Sequence, residues 1–217
     1  MVYKYSMGVP IPLHYSKNSP KMATTKLFIL AVALISLSHL SGTAAAAPVA
    51  STSFIKSSCK STTFPEVCIA SLSGYASAIK NSQEQIVKTA LSVSLNKAET
   101  TKEFVSKLLK FKGLKPREYA AIKDCVEETS DSVDRLTKSV NELKSMDRSH
   151  GKDFQWHMSN VETWVSAAIT DENTCTDGFA GKALNGRIKA SIRSHITSLA
   201  QVTSNALALI NQYAAKY

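Results

Sequence analysis

The chain is short of turn-formers. Eight glycines and six prolines in 217 residues are few for turn-dense β architecture, and Pro10, Pro12 and Pro20 fall within the first 20 positions. That argues against a sandwich or barrel. Catalytic signatures are lacking as well: no GxSxG, P-loop, HExxH or GxGxxG string occurs. Acidic residues are outnumbered, 17 against 26 Lys and Arg, for a net +9. Residues 1–46 hold Lys4, Lys17, Lys21 and Lys26 and no acid, so the remainder carries 22 bases and 17 acids, a mildly basic +5. With the signs interspersed, this charge does not call for a nucleic-acid partner. Hydrophobic content of 44% and charged content of 20% suffice for a buried core and exclude a disordered polyelectrolyte.

The longest apolar stretch, Leu27 to Leu40, spans 14 residues, short of the ~20 that cross a bilayer. Lys21 and Lys26 precede it, and Ser41-Gly42-Thr43-Ala44-Ala45-Ala46-Ala47 follows. Positive flank, short apolar core and Ala-x-Ala spacing are the parts of a secretory signal peptide. We place cleavage after Ala46, and Met22 is a more natural start than Met1. Residues 1–46 are thus read as an upstream extension plus export signal. The mature product is expected to be secreted and free of the membrane.

All four cysteines (Cys59, Cys68, Cys125 and Cys175) fall in the mature part, and an even count in a secreted chain implies two disulfides. Three connectivities are open. No CxxC spacing or neighbouring His favours a metal, and none is expected. Cys59 and Cys68, with Pro65 between them, suit a bridged helical hairpin, which leaves Cys125 for Cys175. On the chain-entropy model the longer loop contributes ~4 kcal/mol and the shorter ~2.7 kcal/mol.

Periodicity points to helix almost throughout. From Pro116 to Ser145, Tyr119, Ile122, Val126, Thr129, Val133, Leu136, Val140 and Leu143 follow 3,4 spacing, the stripe of a bundle helix. Glu84–Lys112 carries Ile86, Ala90, Val93, Phe104, Leu108 and Phe111, with Gly113 closing it. A third helix starts at Asp153, a candidate N-cap, with Phe154, Met158, Val161, Val165, Ala168, Cys175 and Phe179 on one face and Gly181 as its stop. The fourth carries Ile188, Ile192, His195, Leu199, Val202, Ala206, Leu209 and Tyr213. The fold expected is all-α: an up-down-up-down antiparallel four-helix bundle over residues 81–217, preceded by a small helical hairpin over 47–80. His195 reads as a core or boundary histidine, and His150 and His157 flank the third helix without a nucleophile nearby. No catalytic residue and no cofactor is expected.

Several local strings carry a resemblance. Phe54-Ile55-Lys56-Ser57-Ser58-Cys59, eight residues and Cys68, with Phe64-Pro65 before the second Cys, form the opening. Ala121-Ile122-Lys123-Asp124-Cys125 followed by Glu127-Glu128-Thr129 surrounds the third Cys. Val161-Glu162-Thr163-Trp164-Val165-Ser166-Ala167-Ala168-Ile169-Thr170-Asp171 leads to Cys175-Thr176-Asp177-Gly178-Phe179. From Phe54 to Ala214 the chain resembles the plant invertase and pectin methylesterase inhibitor family. The resemblance implies a four-helix bundle with an N-terminal hairpin, and bridges joining first to second and third to fourth Cys.

Invertase inhibitors of that family present Pro-Lys-Phe upstream of the fourth Cys. Here the nearest string is Lys152-Asp153-Phe154, without the Pro, whereas the Thr163–Thr170 segment is typical of the pectin methylesterase branch. The resemblance therefore implies a one-to-one inhibitor of pectin methylesterase in the apoplast, with acid invertase as the runner-up target. The second and third helices, tied through Cys125 and Cys175, would lie across the esterase's pectin groove. Candidate contacts are the acidic stripe Asp124, Glu127, Asp131 and Asp134, the hydroxyls of Thr163, Ser166, Thr170, Thr174 and Thr176, and Trp156 as an anchor. A different reading has Lys102, Lys107, Lys110, Lys112, Lys115 and Arg117 contacting anionic pectin.

Overall fold

The computed structural model describes residues 46–148, 153–180 and 186–216. Residues 1–45 of the expected extension and export signal, His150, Lys152 and Gly181 lie outside the described residues. Helices α1 (Ala46–Cys59) and α2 (Pro65–Leu72), a 3₁₀ turn (Ser73–Tyr75) and the short α3 (Ala76–Ile79) form the hairpin region. Four long helices follow: α4 (Gln83–Leu108), α5 (Pro116–Arg148), α6 (Phe154–Asp177) and α7 (Arg187–Ala214). No strand occurs among the described residues. The packing pairs are α4–α5, α5–α6, α6–α7 and α7–α4, a closed four-helix bundle.

Local chemistry sets the boundaries. Ser82 caps α4, its hydroxyl accepting from the Gln85 amide at 3.2 Å. Pro116 opens α5, where its missing N–H costs nothing. The Glu118 carboxylate reaches back to the Lys115 amide at 2.9 Å, half of a capping box. Helix α4 ends at Leu108, earlier than the expected Lys112, and Phe111 consequently falls in the turn, 59% exposed. Gly113 has φ +86°, a backbone that a side chain would strain. Asp153 precedes α6 in a left-handed conformation (φ +59°), and its side chain makes no capping bond. Helix α6 stops at Asp177, with Gly178 as its C-cap, ahead of Gly181.

The seam of α5 is rotated from the one that apolar spacing picks out. Ile122, Cys125, Thr129, Ser132, Leu136, Ser139, Leu143 and Met146 are buried, again at 3,4 spacing. Val126, Val133 and Val140 lie half-buried on its flank, and Tyr119 is 48% exposed. Small side chains at 125, 132 and 139 let α6 approach closely, to 4.4 Å between Cα atoms at the Cys125–Cys175 disulfide. The second disulfide joins Cys59 to Cys68 within the hairpin. The hairpin is fastened to α7 by Asn205, whose amide group pairs with both backbone groups of Phe64. Oδ1 accepts from the Phe64 N–H and Nδ2 donates to its carbonyl, each at 2.8 Å. His195 sits at the core boundary, stacked on Phe104 at 3.8 Å between ring centroids.

Two apolar clusters fill the interior. The larger runs from Ile55 and Cys59 through Ile86, Leu136, Val165 and Leu209. The smaller holds Val105, Ile122, Cys125, Cys175, Phe179 and Ile196. In the sequence intervals between them lie buried polar side chains on three helices, Thr101, Thr129 and Ser132, and Glu172, while the buried Thr203 falls within the larger cluster's stretch of α7.

Candidate functional site

The candidate surface is the outer face of the α5–α6 pair, and the ties beneath it determine how rigid it is. Proceeding along α5, the partners on α6 recede, as antiparallel packing demands. Cys125 is bonded to Cys175, the Ser132 hydroxyl donates to Glu172 Oε1 at 2.8 Å, and Arg135 Nε donates to Asp171 Oδ2 at 2.5 Å. Glu142 Oε1 then meets His157 Nδ1 at 3.0 Å and accepts from Asn160 Nδ2 at 2.8 Å. A buried or half-buried polar contact thus recurs along the pair. Each net hydrogen bond contributes about 1 kcal/mol, and losing one partner in a buried pair costs more.

Glu172 is fully buried, and its Oε1 also accepts from Thr203 on α7 at 3.0 Å. Both hydroxyls donate to Oε1, which leaves the acid proton for Oε2, an atom buried without a hydrogen-bond partner. Burial disfavours the carboxylate enough to push its pKa up to about 8, against the opposing Ser132 and Thr203 hydrogen bonds. At neutral or acid pH the group is therefore a neutral acid tying three helices. Asp171 is likewise raised by burial, with the Arg135 hydrogen bond and charge opposing. Glu128 is raised by burial and by Asp171, Asp131 and Asp124, with Arg135 opposing.

These couplings redraw the acidic stripe. Asp124 and Asp131 share one electrostatic neighbourhood with Glu128, Asp171 and Arg135. Glu127 instead pairs with Lys123 on its own helix at 3.6 Å, both exposed, and Asp134 is exposed. Thr163, Ser166, Thr170 and Thr174 are exposed on α6, and Thr176 is half-buried. Thr170 and Thr174 donate their hydroxyl protons to the carbonyls of Ser166 and Thr170, at 3.2 and 2.9 Å. Thr176 donates to Asn173 O at 2.7 Å. These three accordingly have lone pairs and methyls to offer a partner, since their protons are committed. Trp156 is 62% exposed at the other end of α6, roughly 20 Å from Thr170 along the axis. His157 is buried against Glu142 as a tie between helices, with Trp156 edge-on to it at 5.0 Å.

Sequence reasoning missed Glu172, Asp171, Arg135 and Glu142. One signal was available: the α6 stripe jumps seven residues from Ala168 to Cys175, and the core position it skips is Glu172.

Among the described residues, no cluster of His, Cys, Asp and Glu is arranged to hold a metal, and no helix is long and apolar enough to cross a membrane. Comparison with known proteins agrees with the architecture. The chain is 53% identical over 174 residues to the "21 kDa protein" of Daucus carota, covering 80% of this chain and 90% of that one. It is 49% identical over 195 residues to "Pectinesterase inhibitor 11" of Arabidopsis thaliana, covering 89% and 96%. The crystal structure of mutant form A of a pectin methylesterase inhibitor from Arabidopsis superposes with a TM-score of 0.57. It is 23% identical and covers 70% of this chain and 92% of that one, a likeness of fold. A family model described as plant invertase/pectin methylesterase inhibitor matches residues 53–209. The disulfide-braced bundle, its hairpin and these matches agree: the chain belongs to the plant invertase/pectin methylesterase inhibitor family.

Proposed function

We propose that this protein is a secreted, non-enzymatic inhibitor of cell-wall pectin methylesterase. It forms a 1:1 complex in which the outer face of α5–α6 covers the esterase's pectin-binding cleft. The observation that carries the reading is the covalent and polar bracing of that face, from Cys125–Cys175 to Glu142–His157, in a chain 49% identical to a protein named a pectinesterase inhibitor. A surface locked before docking loses little conformational entropy on binding. The exposed carboxylates of Asp124 and Asp131 have the charge sign of de-esterified pectin, which makes them complementary to a groove that holds that polymer. Trp156 extends the face toward the other end of α6 as a large exposed anchor. Export is supported by the signal-like N-terminus of the sequence.

The test is titration of the acid released from pectin by a plant pectin methylesterase while the purified mature protein is added. Activity should fall linearly with dose and reach its floor near equimolar inhibitor. Undiminished esterase activity at excess protein, or inhibition of sucrose hydrolysis by acid invertase instead, would refute it.

A further inference from the structure

The α4–α5 turn, at the bundle end opposite the hairpin, has no part in the inhibitory reading. Lys107, Lys110, Lys112, Lys115 and Arg117 follow one another there with no acid from 107 to 117. Lys107 is paired with Glu103 at 2.9 Å. Lys110, Lys112, Lys115 and Arg117 are exposed and make no ion pair among the described residues. Phe111 and Tyr119, two of the four large apolar side chains exposed among the described residues, stand in the same short segment.

The turn is also built. Leu109 and Leu114 pack inward against the smaller core cluster. The amides of Lys110 and Phe111 bond back to the carbonyls of Lys107 and Leu108 at 3.2 and 3.1 Å. Gly113 supplies the left-handed step, and Glu118 holds the Lys115 amide. A fixed turn therefore carries four exposed cations without an ion-pair partner among the described residues, one carboxylate (Glu118) engaged with a backbone amide, and two exposed aromatic rings.

We propose that this platform binds a linear polyuronate, the de-esterified galacturonan that pectin methylesterase produces. Carboxylates repeating along a polymer match several cations at once, and exposed aromatic rings pack against the apolar faces of pyranose rings. The assignment rests on the inhibitory reading for where the protein works. Holding the inhibitor on freshly de-esterified polymer would raise its concentration beside the enzyme that made it.

The experiment is retention of the purified protein on polygalacturonate and on highly methyl-esterified pectin matrices across a salt gradient, with no esterase present. Retention is expected on polygalacturonate alone, weakening as salt passes ~0.15 M, where the screening length falls to ~8 Å. Lys110→Ser/Lys112→Ser/Lys115→Ser should reduce retention at least ~10-fold. Phe111→Ser/Tyr119→Ser should weaken it several-fold at fixed salt while leaving the salt slope unchanged. Equal retention on both matrices, or an undiminished triple variant, would overturn the proposal. Aromatic variants that bind like the parent would reduce the surface to a plain cation exchanger and overturn the polysaccharide assignment. Esterase inhibition is measured in parallel, and the triple variant should inhibit as the parent does. Failure of the parent to inhibit would count against the inhibitory reading, whereas loss of retention alone would count only against this site.

Discussion

The two ends of the bundle, either side of Glu172, are stabilised differently. The hairpin end contains the larger apolar cluster, 22 buried residues among those described, to which α1, α2, α3 and all four long helices contribute. The opposite end has nine, and two of them are Cys125 and Cys175. The smaller cluster buries fewer apolar side chains than the larger, and the covalent brace between α5 and α6 is part of it. At the thick end the only disulfide is internal to the hairpin. There Ile55, Leu72 and Ile79 bury their side chains, and one asparagine latches the connection. The difference teaches that the α5–α6 face is kept straight by sulfur at one end and by apolar volume at the other, with polar ties between.

The largest effect should come from removing the long bridge. Cys125→Ser/Cys175→Ser is expected to lose ~4 kcal/mol by urea unfolding, and Cys59→Ser/Cys68→Ser ~2.7 kcal/mol. Equal losses would break the contrast between the ends.

Next in size is the pH response of the polar layer. The folded protein holds the Glu172 proton up to about pH 8, while the unfolded chain releases it near 4.5. Protonation therefore favours the folded state, and stability from this group is complete below about pH 4.5 and declines as pH rises toward 8. The slope is ~1.4 kcal/mol per pH unit, so pH 5.5 should exceed pH 7 by ~2 kcal/mol. Denaturation midpoints measured across that range should fall with pH, and Glu172→Gln should flatten the profile. A flat parent profile would contradict the assignment.

Asn205→Ala should cost about 1–2 kcal/mol, with faster amide exchange confined to α1 and α2. Exchange rising equally throughout the bundle would mean that the hairpin and the helices open together. Smallest is Trp156→Ala, expected to shift stability by less than ~0.5 kcal/mol because the indole is exposed.

Much of this architecture was legible because apolar spacing reports a helix whichever side chain finally faces inward. Pro116 and the stripes of α6 and α7 placed three long helices to within a few residues. The rotation of the α5 seam was not legible: Val126, Val133 and Val140 outrank Cys125, Ser132 and Ser139 in hydrophobicity, yet close approach to α6 favours the smaller side chains. The interior carboxyl escaped for a related reason. A charged residue on a stripe reads as an interruption until its partners, Ser132 forty residues upstream and Thr203 downstream, are known. Of the candidate contacts, Thr170 and Thr174 could be placed on an outer face from spacing, whereas the pairing of Asp171 with Arg135 depends on how two helices meet.

The most direct measurement is esterase inhibition by Thr170→Arg/Thr174→Arg, which adds bulk to the exposed face of α6 without touching a core residue. The inhibition constant should rise by at least ~100-fold, about 2.7 kcal/mol, with an unchanged melting temperature. Parent-like inhibition by this variant would show that the esterase meets some other surface.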